Sequence, residues 1–533
     1  MLRKIALAVL VSALIPAVVP AADFDPYLHQ KANDYETFLR EWHSTGLGGV
    51  SDILFTDGTR QEIFRTVGSG DSGDWTGFYL TTQALRYMVT GEALAREEIL
   101  RIAHYMHILH DITGHPGYIA RYAGIDEAPW NVESMGGDNR YDGTGDYEDY
   151  FWLGHNVRDK YITWFWGLTW AYDALRDDPE DDAAAMRQTI REDFVEMVEA
   201  LDAQNWIIID PWGDTYSAAE ILPDIRLEIL VQAAHVTDDP DIAQLRDDEY
   251  ERNKTYMWLS TFSWFNKYFD YYAFINNHPV WQAIFRLWPD RERGEHLRRI
   301  WEVNVRYNVV NTHAAFFDAV WYAQCVRFGG CDEDEIDAVR DDVIHGLTVM
   351  NEAPNYRRAV ECPVLPLDPF SVWADDLLNT YPWIEQLTGF DIDPQTAEAH
   401  QVENRCWESH LWERSPYHVE CTGEENPAET GPGLDYLIAY WFGVYYGLLP
   451  GDGPYGDDDL IEPTDDDADD DADDDTTDDD SADDDVVDDD ADDDDGDDDD
   501  SADDDVDDDV NDDTDDDVSD EASAESDDDG CGC

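Results

Sequence analysis

The sequence predicts a mainly α-helical domain, an (α/α)6 toroid of stacked helical hairpins with long rim loops, followed by a disordered acidic tail. Three observations carry that expectation. Apolar residues recur at helical spacing, aromatic-rich helices alternate with more charged ones across short polar turns, and the composition changes abruptly near residue 457.

At the start of the chain, Arg3 and Lys4 precede an apolar run from Ile5 to Val19, and Val19-Pro20-Ala21-Ala22 supplies the small residues a signal peptidase accepts. That run is shorter than the roughly 20 residues needed to span a bilayer. Residues 1–22 are therefore expected to be a cleaved signal peptide, and the product to be secreted or displayed at a bacterial cell surface. No later stretch is apolar enough to insert, so the mature chain is expected to stay out of the membrane.

Residues 23–456 form the expected helical domain. Met186, Ile190, Phe194, Met197 and Leu201 step by three or four and share one helix face, as do Ile99, Ile102, Met106 and Leu109. Turns such as Val89-Thr90-Gly91-Glu92, Arg176-Asp177-Asp178-Pro179, Thr237-Asp238-Asp239-Pro240, Trp288-Pro289-Asp290 and Gly329-Gly330-Cys331-Asp332 stop one helix and cap the next. The joined helices are expected near 77–110, 158–204, 218–252, 277–307 and 312–352. A sixth pair would match 434–448 with 30–43. Hairpins that cannot bury a face alone stack side by side, and six of them can close a ring; an open α-solenoid is the alternative. Ile207-Ile208-Ile209 and Val364-Leu365 are expected as short rim strands, and 121–150, 352–381 and 400–433 as irregular covers over one mouth.

Residues 457–533 form the tail. From Asp457 to Asp529 the chain has 44 Asp, 3 Glu and no Lys or Arg, so this stretch carries 47 of the 91 net negative charges and the remainder carries 44. Such a segment repels itself and buries nothing, so it is expected to be extended and disordered. An anionic chain lacks the basic face that nucleic acid requires, which excludes that partner. Seven cysteines suit an oxidising compartment. Cys325 with Cys331, and Cys406 with Cys421, are the expected bridges, with Cys362 free or substituting in the second. Cys531 and Cys533 end the tail and could attach it to the cell envelope.

The candidate chemistry clusters where inner helices begin. Asp74, with Trp75 and Tyr79 beyond it, could cap a helix or present a carboxylate beside an aromatic platform for a sugar ring. His155, Arg158, Asp159 and Lys160 follow Trp152 and precede an aromatic helix containing Trp164. Asn277-His278, with Tyr271 and Tyr272 upstream, and His313 open later helices and would share one rim. Arg121 could grip a carboxylate or sulfate bidentately. Asp138, Asp142 and Asp146 lie in a Gly-punctuated acidic loop that could hold Ca²⁺, because hard cations prefer carboxylate oxygens.

The hairpin repeat, with Asp74-Trp75-Thr76-Gly77 and Arg158-Asp159 opening inner helices, resembles the six-hairpin glycosidase-like superfamily, in an uncharacterised exported bacterial branch. Trp412-Glu413-Arg414-Ser415-Pro416-Tyr417 and the segment from Gly433 to Trp441 are similar to parts of such exported proteins. The resemblance spans most of 60–450 and implies carbohydrate chemistry by analogy of fold. It implies a glycan-active hydrolase acting on a carbohydrate polymer or oligosaccharide, with Asp74 and Asp159 as the carboxylate pair. The alternatives are a uronate polysaccharide lyase using Tyr271, Asn277, His278 and Arg121, and a non-enzymatic module that binds glycan or protein at the surface. The tail resembles the Asp-rich, Gly-Cys-ended tails of some bacterial surface proteins.

Overall fold

Asp25 opens the first helix, its carboxylate accepting from the backbone N–H groups of Tyr27 and Leu28 at 2.9 Å each. That helix, α1 (Pro26–Phe38), passes into a π turn at Leu39–His43. The computed structural model describes residues 24–44, 46–132, 139–216, 218–255, 257, 273–358, 363–384, 394–404, 415–418 and 425–451. All of them lie in the unit Met1–Thr464. The three cysteines Cys362, Cys406 and Cys421, the segment 405–414 and the tail beyond 451 fall outside them.

The expected hairpins are present. Helix α2 (Ser72–Thr90) stops at Gly91, whose φ of +64° is one that a side chain would strain, and α3 (Ala93–Asp111) follows at once. Then come α4 (Asp159–Ala174) and α5 (Asp181–Ala203), α6 (Pro223–Thr237) and α7 (Pro240–Asn253), and α8 (Ala273–Leu287) and α9 (Arg291–Trp301). Helices α10 (Ala315–Phe328) and α11 (Glu333–Val349) are joined across the expected Cys325–Cys331 disulfide. Asp239, Asp290 and Asp332 cap α7, α9 and α11 through their side chains, as the turn residues lead one to expect.

Two expectations need correction. None of the stretches 121–150, 352–381 and 400–433 is irregular throughout: strands form at Tyr122–Ile125, Arg140–Asp142 and Asn426–Gly431, and Asp368 caps a helix, α12 (Pro369–Thr380). Its capping bond to Ser371 N (3.0 Å) is a local signal that the Gly, Pro and aromatic content of its surroundings concealed. Neither expected rim strand forms. Ile207 makes a single bridge to Glu220, and Val364 stands exposed outside any strand. The strands lie elsewhere: β1 (Asp52–Phe55), β2 (Ile63–Val67), β3 (Tyr122–Ile125), β4 (Arg140–Asp142), β5 (Tyr150–Leu153), β6 (Asn355–Arg357) and β7 (Asn426–Gly431). They pair antiparallel in two small sheets of order β2-β1-β7-β6 and β3-β5-β4. The last helix, α13 (Leu434–Tyr445), packs on α1.

Helices α2, α4, α6, α10 and α13 are buried along nearly their whole length, whereas α3, α5, α7 and α11 bury one face. The division follows sequence: all-round apolar helices must lie inside, amphipathic ones outside. Helix α2 packs on α4, α4 on α6, α6 on α8, α8 on α10, α10 on α13, and α13 on α2. Each of these helices also packs on an amphipathic partner, α3, α5, α7, α9, α11 and α1 respectively, and α4, α6, α10 and α13 touch a second, α3, α5, α9 and α11 in turn. Between them, Phe78 meets Trp166 at 5.4 Å and Phe316 at 5.9 Å, and Phe316 meets Phe442 at 5.7 Å between ring centroids. Trp166 donates its indole N–H to Gln282 Oε1 (2.7 Å), so this buried donor is matched. Among the described residues, no helix is long and apolar enough to cross a membrane.

The α2–α4 crossing is close because two glycines face each other. A Cβ on Gly77 would stand 2.4 Å from Thr163 O, and one on Gly167 would stand 2.8 Å from Gly77 O. Gly77→Ala should therefore force the helices apart and lower stability by about 2–3 kcal/mol. Urea unfolding followed by far-ultraviolet circular dichroism would measure the loss; an unchanged midpoint would show that the backbones do not touch.

Candidate functional site

Helix α4 begins with Asp159 and Lys160. A cation in a first turn opposes the helix dipole, whereas an aspartate there is favoured, so Lys160 depends on acidic neighbours. The α2–α4 contact supplies them. Lys160 Nζ donates to Asp71 Oδ1 (2.8 Å), to Asp74 Oδ2 and to Asp159 Oδ2 (3.3 Å). Thr163 Oγ1 donates to the other oxygen of Asp74 (2.9 Å). Asp74 stands in the first turn of α2 rather than at its cap, which is Asp71.

Burial dominates the electrostatics of this cluster. Lys160 is 2% exposed and Asp74 is 5% exposed. Removal from water raises the Asp74 carboxyl; Lys160 opposes the rise, repulsion from Asp159 and Asp71 reinforces it, and the result is a value of about 6. Burial works against the charged form of Lys160, but Asp159, Asp71 and Asp74 outweigh it and hold the ammonium well above the ordinary lysine range. The two carboxylates expected to act as a pair thus converge on one ammonium.

Arg121 carries this cluster outward. Its Nη2 lies 3.6 Å from Asp71 Oδ1, its Nε donates to Gly70 O (2.9 Å) and its Nη1 donates to His155 O (3.4 Å). His155 has a left-handed backbone, φ +58°, in the turn between β5 and α4. Its ring lies parallel to Tyr216, with centroids 4.6 Å apart. Both line a pocket of about 380 Å³ together with Tyr118, Tyr141, Asp210, Trp212 and Asp214.

The far wall is a tight turn between α5 and α6. Asp210 Oδ1 accepts from Trp212 N (3.0 Å) and Asp214 N (2.8 Å), and Gly213 adopts φ +94°. That turn pushes Trp212 outward, 55% exposed, with Tyr216 beside it at 47%. Trp212 rests on Tyr141 (4.2 Å) and stacks parallel to Trp152 (5.9 Å). Asn156 holds the floor, donating from Nδ2 to Ile119 O (2.6 Å) and from its backbone N to the Tyr118 hydroxyl (3.0 Å). The result is a set of flat apolar faces flanked by two carboxylates, an imidazole and hydroxyls.

The other expected site residues are dispersed. Trp75 and Tyr79 are core residues, and the Tyr79 hydroxyl donates to Glu36 Oε1 (2.9 Å). Trp164 is buried, its indole donating to Met106 O (2.9 Å), and Trp152 supports the pocket from beneath Trp212. Arg158 donates to Glu220 O (3.4 Å). Asn277 is half-buried in α8. His278 is fully buried: Nδ1 donates to Phe274 O (2.7 Å), the ring stacks on Phe317 (3.8 Å), and burial lowers its value to about 3. Tyr271 and Tyr272 lie outside the described residues. His313 sits instead beside Glu403 and His345. Asp138 is outside the described residues; among those described, Asp142 and Asp146 are exposed and join no group of three close ligand donors.

Sequence reasoning missed Tyr141, Asp210, Trp212, Asp214 and Tyr216. The signal was Asp210-Pro211-Trp212-Gly213-Asp214, a tryptophan inside a turn sequence, where no core position could claim it. Compared with known proteins, the chain matches no family model, no curated protein and no solved structure.

Replacing Lys160 with Met leaves three carboxylates facing one another and should cost about 3–5 kcal/mol at neutral pH. The pH dependence has a defined sign. Asp74 holds its proton more tightly in the fold, at about 6, than at its ordinary 3.8. Its contribution is therefore fully present below the unfolded value and is lost as pH rises through about 6. Asp74→Asn should flatten that part of the wild-type stability profile, measured by urea unfolding at a series of pH values.

Proposed function

We propose that this protein is an exported carbohydrate-binding protein, a ring of six helical hairpins that presents an aromatic pocket to a neutral oligosaccharide. The carrying observation is the exposed pair Trp212 and Tyr216 on the walls of a 380 Å³ pocket, with His155 stacked on Tyr216. Sugar rings offer apolar C–H faces edged by hydroxyls, and flat aromatic walls flanked by polar side chains suit both surfaces. Asp210 and Asp214 can accept from hydroxyls, and their charge, in an already acidic chain, disfavours uronates and sulfated glycans.

The ring reading is supported by the order of helix contacts, which returns from α13 to α2, and by the outer partner found on every inner helix. Secretion rests on the leader sequence of residues 1–22. Binding rather than turnover is favoured because Phe78, Trp166, Phe316 and Phe442 fill the space among the inner helices, and because Asp74 and Asp159 are both engaged by Lys160. A second reading, hydrolysis by Asp74 and Asp159, draws on one observation: a carboxyl near 6 is what a general acid requires.

Purified protein titrated with neutral and uronate oligosaccharides, followed by tryptophan fluorescence and calorimetry, separates these readings. Trp212→Ala should weaken binding at least roughly tenfold, as the loss of a stacking face worth about 1.4 kcal/mol requires. No new reducing ends should appear. Reducing ends that appear with wild type and vanish in Asp74→Asn would favour the hydrolase, and no binding to any glycan would sink both.

A further inference from the structure

His313, expected on the sugar-binding rim, is placed in a different setting. Three separate segments meet there: the turn before α10, the solvent side of α11, and a short 3-10 turn at Val402–Asn404. His313 Nδ1 lies 3.3 Å from Glu403 Oε2, and His345 Nε2 lies 3.4 Å from Glu403 Oε1. The donor atoms of all three residues lie within 4.8 Å of one another. The two imidazole planes are nearly perpendicular, at 88°, with centroids 4.9 Å apart.

The backbone holds this arrangement in place. Gly346, next to His345, lies so close to the His313 carbonyl that a Cβ there would stand 2.3 Å from the oxygen. Glycine therefore lets α11 approach the His313 turn. Val402 N donates to Thr312 O (2.9 Å), which sets Glu403 against the same turn. His313 itself adopts φ +56°, uncommon for a residue with a side chain. The nitrogen of His313 that faces away from Glu403, Nε2, lies 3.4 Å from Gln401 and 4.0 Å from an Asp342 carboxylate oxygen.

We propose that His313, His345 and Glu403 bind a zinc ion that fastens the 402–404 turn to the ends of α10 and α11. Four-coordinate zinc at roughly 2.0–2.1 Å sets its ligand atoms about 3.3–3.4 Å apart; each imidazole stands at that spacing from one oxygen of Glu403, and the three ligand atoms lie within 4.8 Å of one another. Two imidazoles and one carboxylate suit zinc better than Ca²⁺ or Mg²⁺, which take oxygen donors. Three protein ligands leave a fourth position for water. Asp342 and Gln401 stand where outer partners orient a ligating histidine through its second nitrogen. An ordinary His–Glu ion pair would need only one imidazole, and here two from different elements face the two oxygens of one carboxylate. The site is independent of the glycan pocket, so neither proposal stands on the other.

The test uses the full chain, whose aspartate-rich tail also attracts divalent cations, so the comparison is between wild type and variants that share the tail. His345→Ala and Glu403→Gln alter half-exposed side chains and should fold normally. Cobalt titrated into wild type should produce the intense visible absorption of a four-coordinate site with nitrogen ligands, which zinc then abolishes. Oxygen-only binding by the tail gives weak octahedral bands. Both variants should lose the intense band and bind zinc at least about 100-fold more weakly by chelator competition. Zinc should also raise the thermal midpoint of wild type but not of the variants. Weak octahedral bands alone in wild type, or equal zinc affinity across all three proteins, would overturn the proposal.

Discussion

Helices α2 and α4 lie against each other with no side chain between Gly77 and Gly167, and most of the interior arrangement depends on that contact. Because the backbones touch, the first turns of both helices meet, and Lys160 finds Asp74 and Asp71 within reach. A larger residue at either glycine would separate the ammonium from its acids and leave buried charges uncompensated. The same crossing sets Phe78 against Trp166. One steric feature thus fixes an ionic cluster and an aromatic cluster together.

Charge is distributed along the inner helices in a consistent sense. Asp74, Asp159, Asp224, Asp318 and Asp435 occupy first turns, where the helix dipole favours an anion. Cations gather toward the opposite ends. Arg286 and His235 both bind Asp173, at 2.6 and 2.7 Å, and Arg286 lies 3.6 Å over the Trp170 ring. Burial alone would raise Asp173, yet His235 and Arg286 outweigh it and hold the carboxyl low, at about 2. At Asp318 burial outweighs the opposing pull of Arg306, repulsion from Asp342 adds to it, and the carboxyl stands well above the ordinary range. A strongly acidic chain can bury several of its carboxylates this way, by pairing some and keeping others protonated.

The candidate site was partly legible. His155 and the charged run through Lys160 stood out because ionisable residues preceding an aromatic helix must be accommodated somewhere. Their partners were not legible. Asp71 and Asp74 lie more than 80 residues from Lys160 in sequence, and nothing local specifies that three acids share one ammonium. Trp164 and Tyr79 illustrate the opposite error. Each is an aromatic with a polar handle, and whether that handle meets a sugar or a buried protein acceptor, Met106 O for Trp164 and the Glu36 carboxylate for Tyr79, depends on what packs above it. Trp212 carried the clearer signal, since a tryptophan between proline and glycine in a turn has no helix face to join.

The sequence by itself determined the hairpin helices, the caps of α7, α9 and α11, and the sorting of helices into inside and outside. Those properties rest on local periodicity and on short-range hydrogen bonds from Asp239, Asp290 and Asp332. It also determined the close Cys325–Cys331 pairing, because the two are only 6 positions apart in sequence. Tertiary structure alone decided which carboxylates are neutralised, which aromatics reach solvent, and that His313 meets His345 and Glu403. Those outcomes depend on contacts between residues tens to hundreds of positions apart, where a single glycine such as Gly346 sets the approach and no local pattern records it.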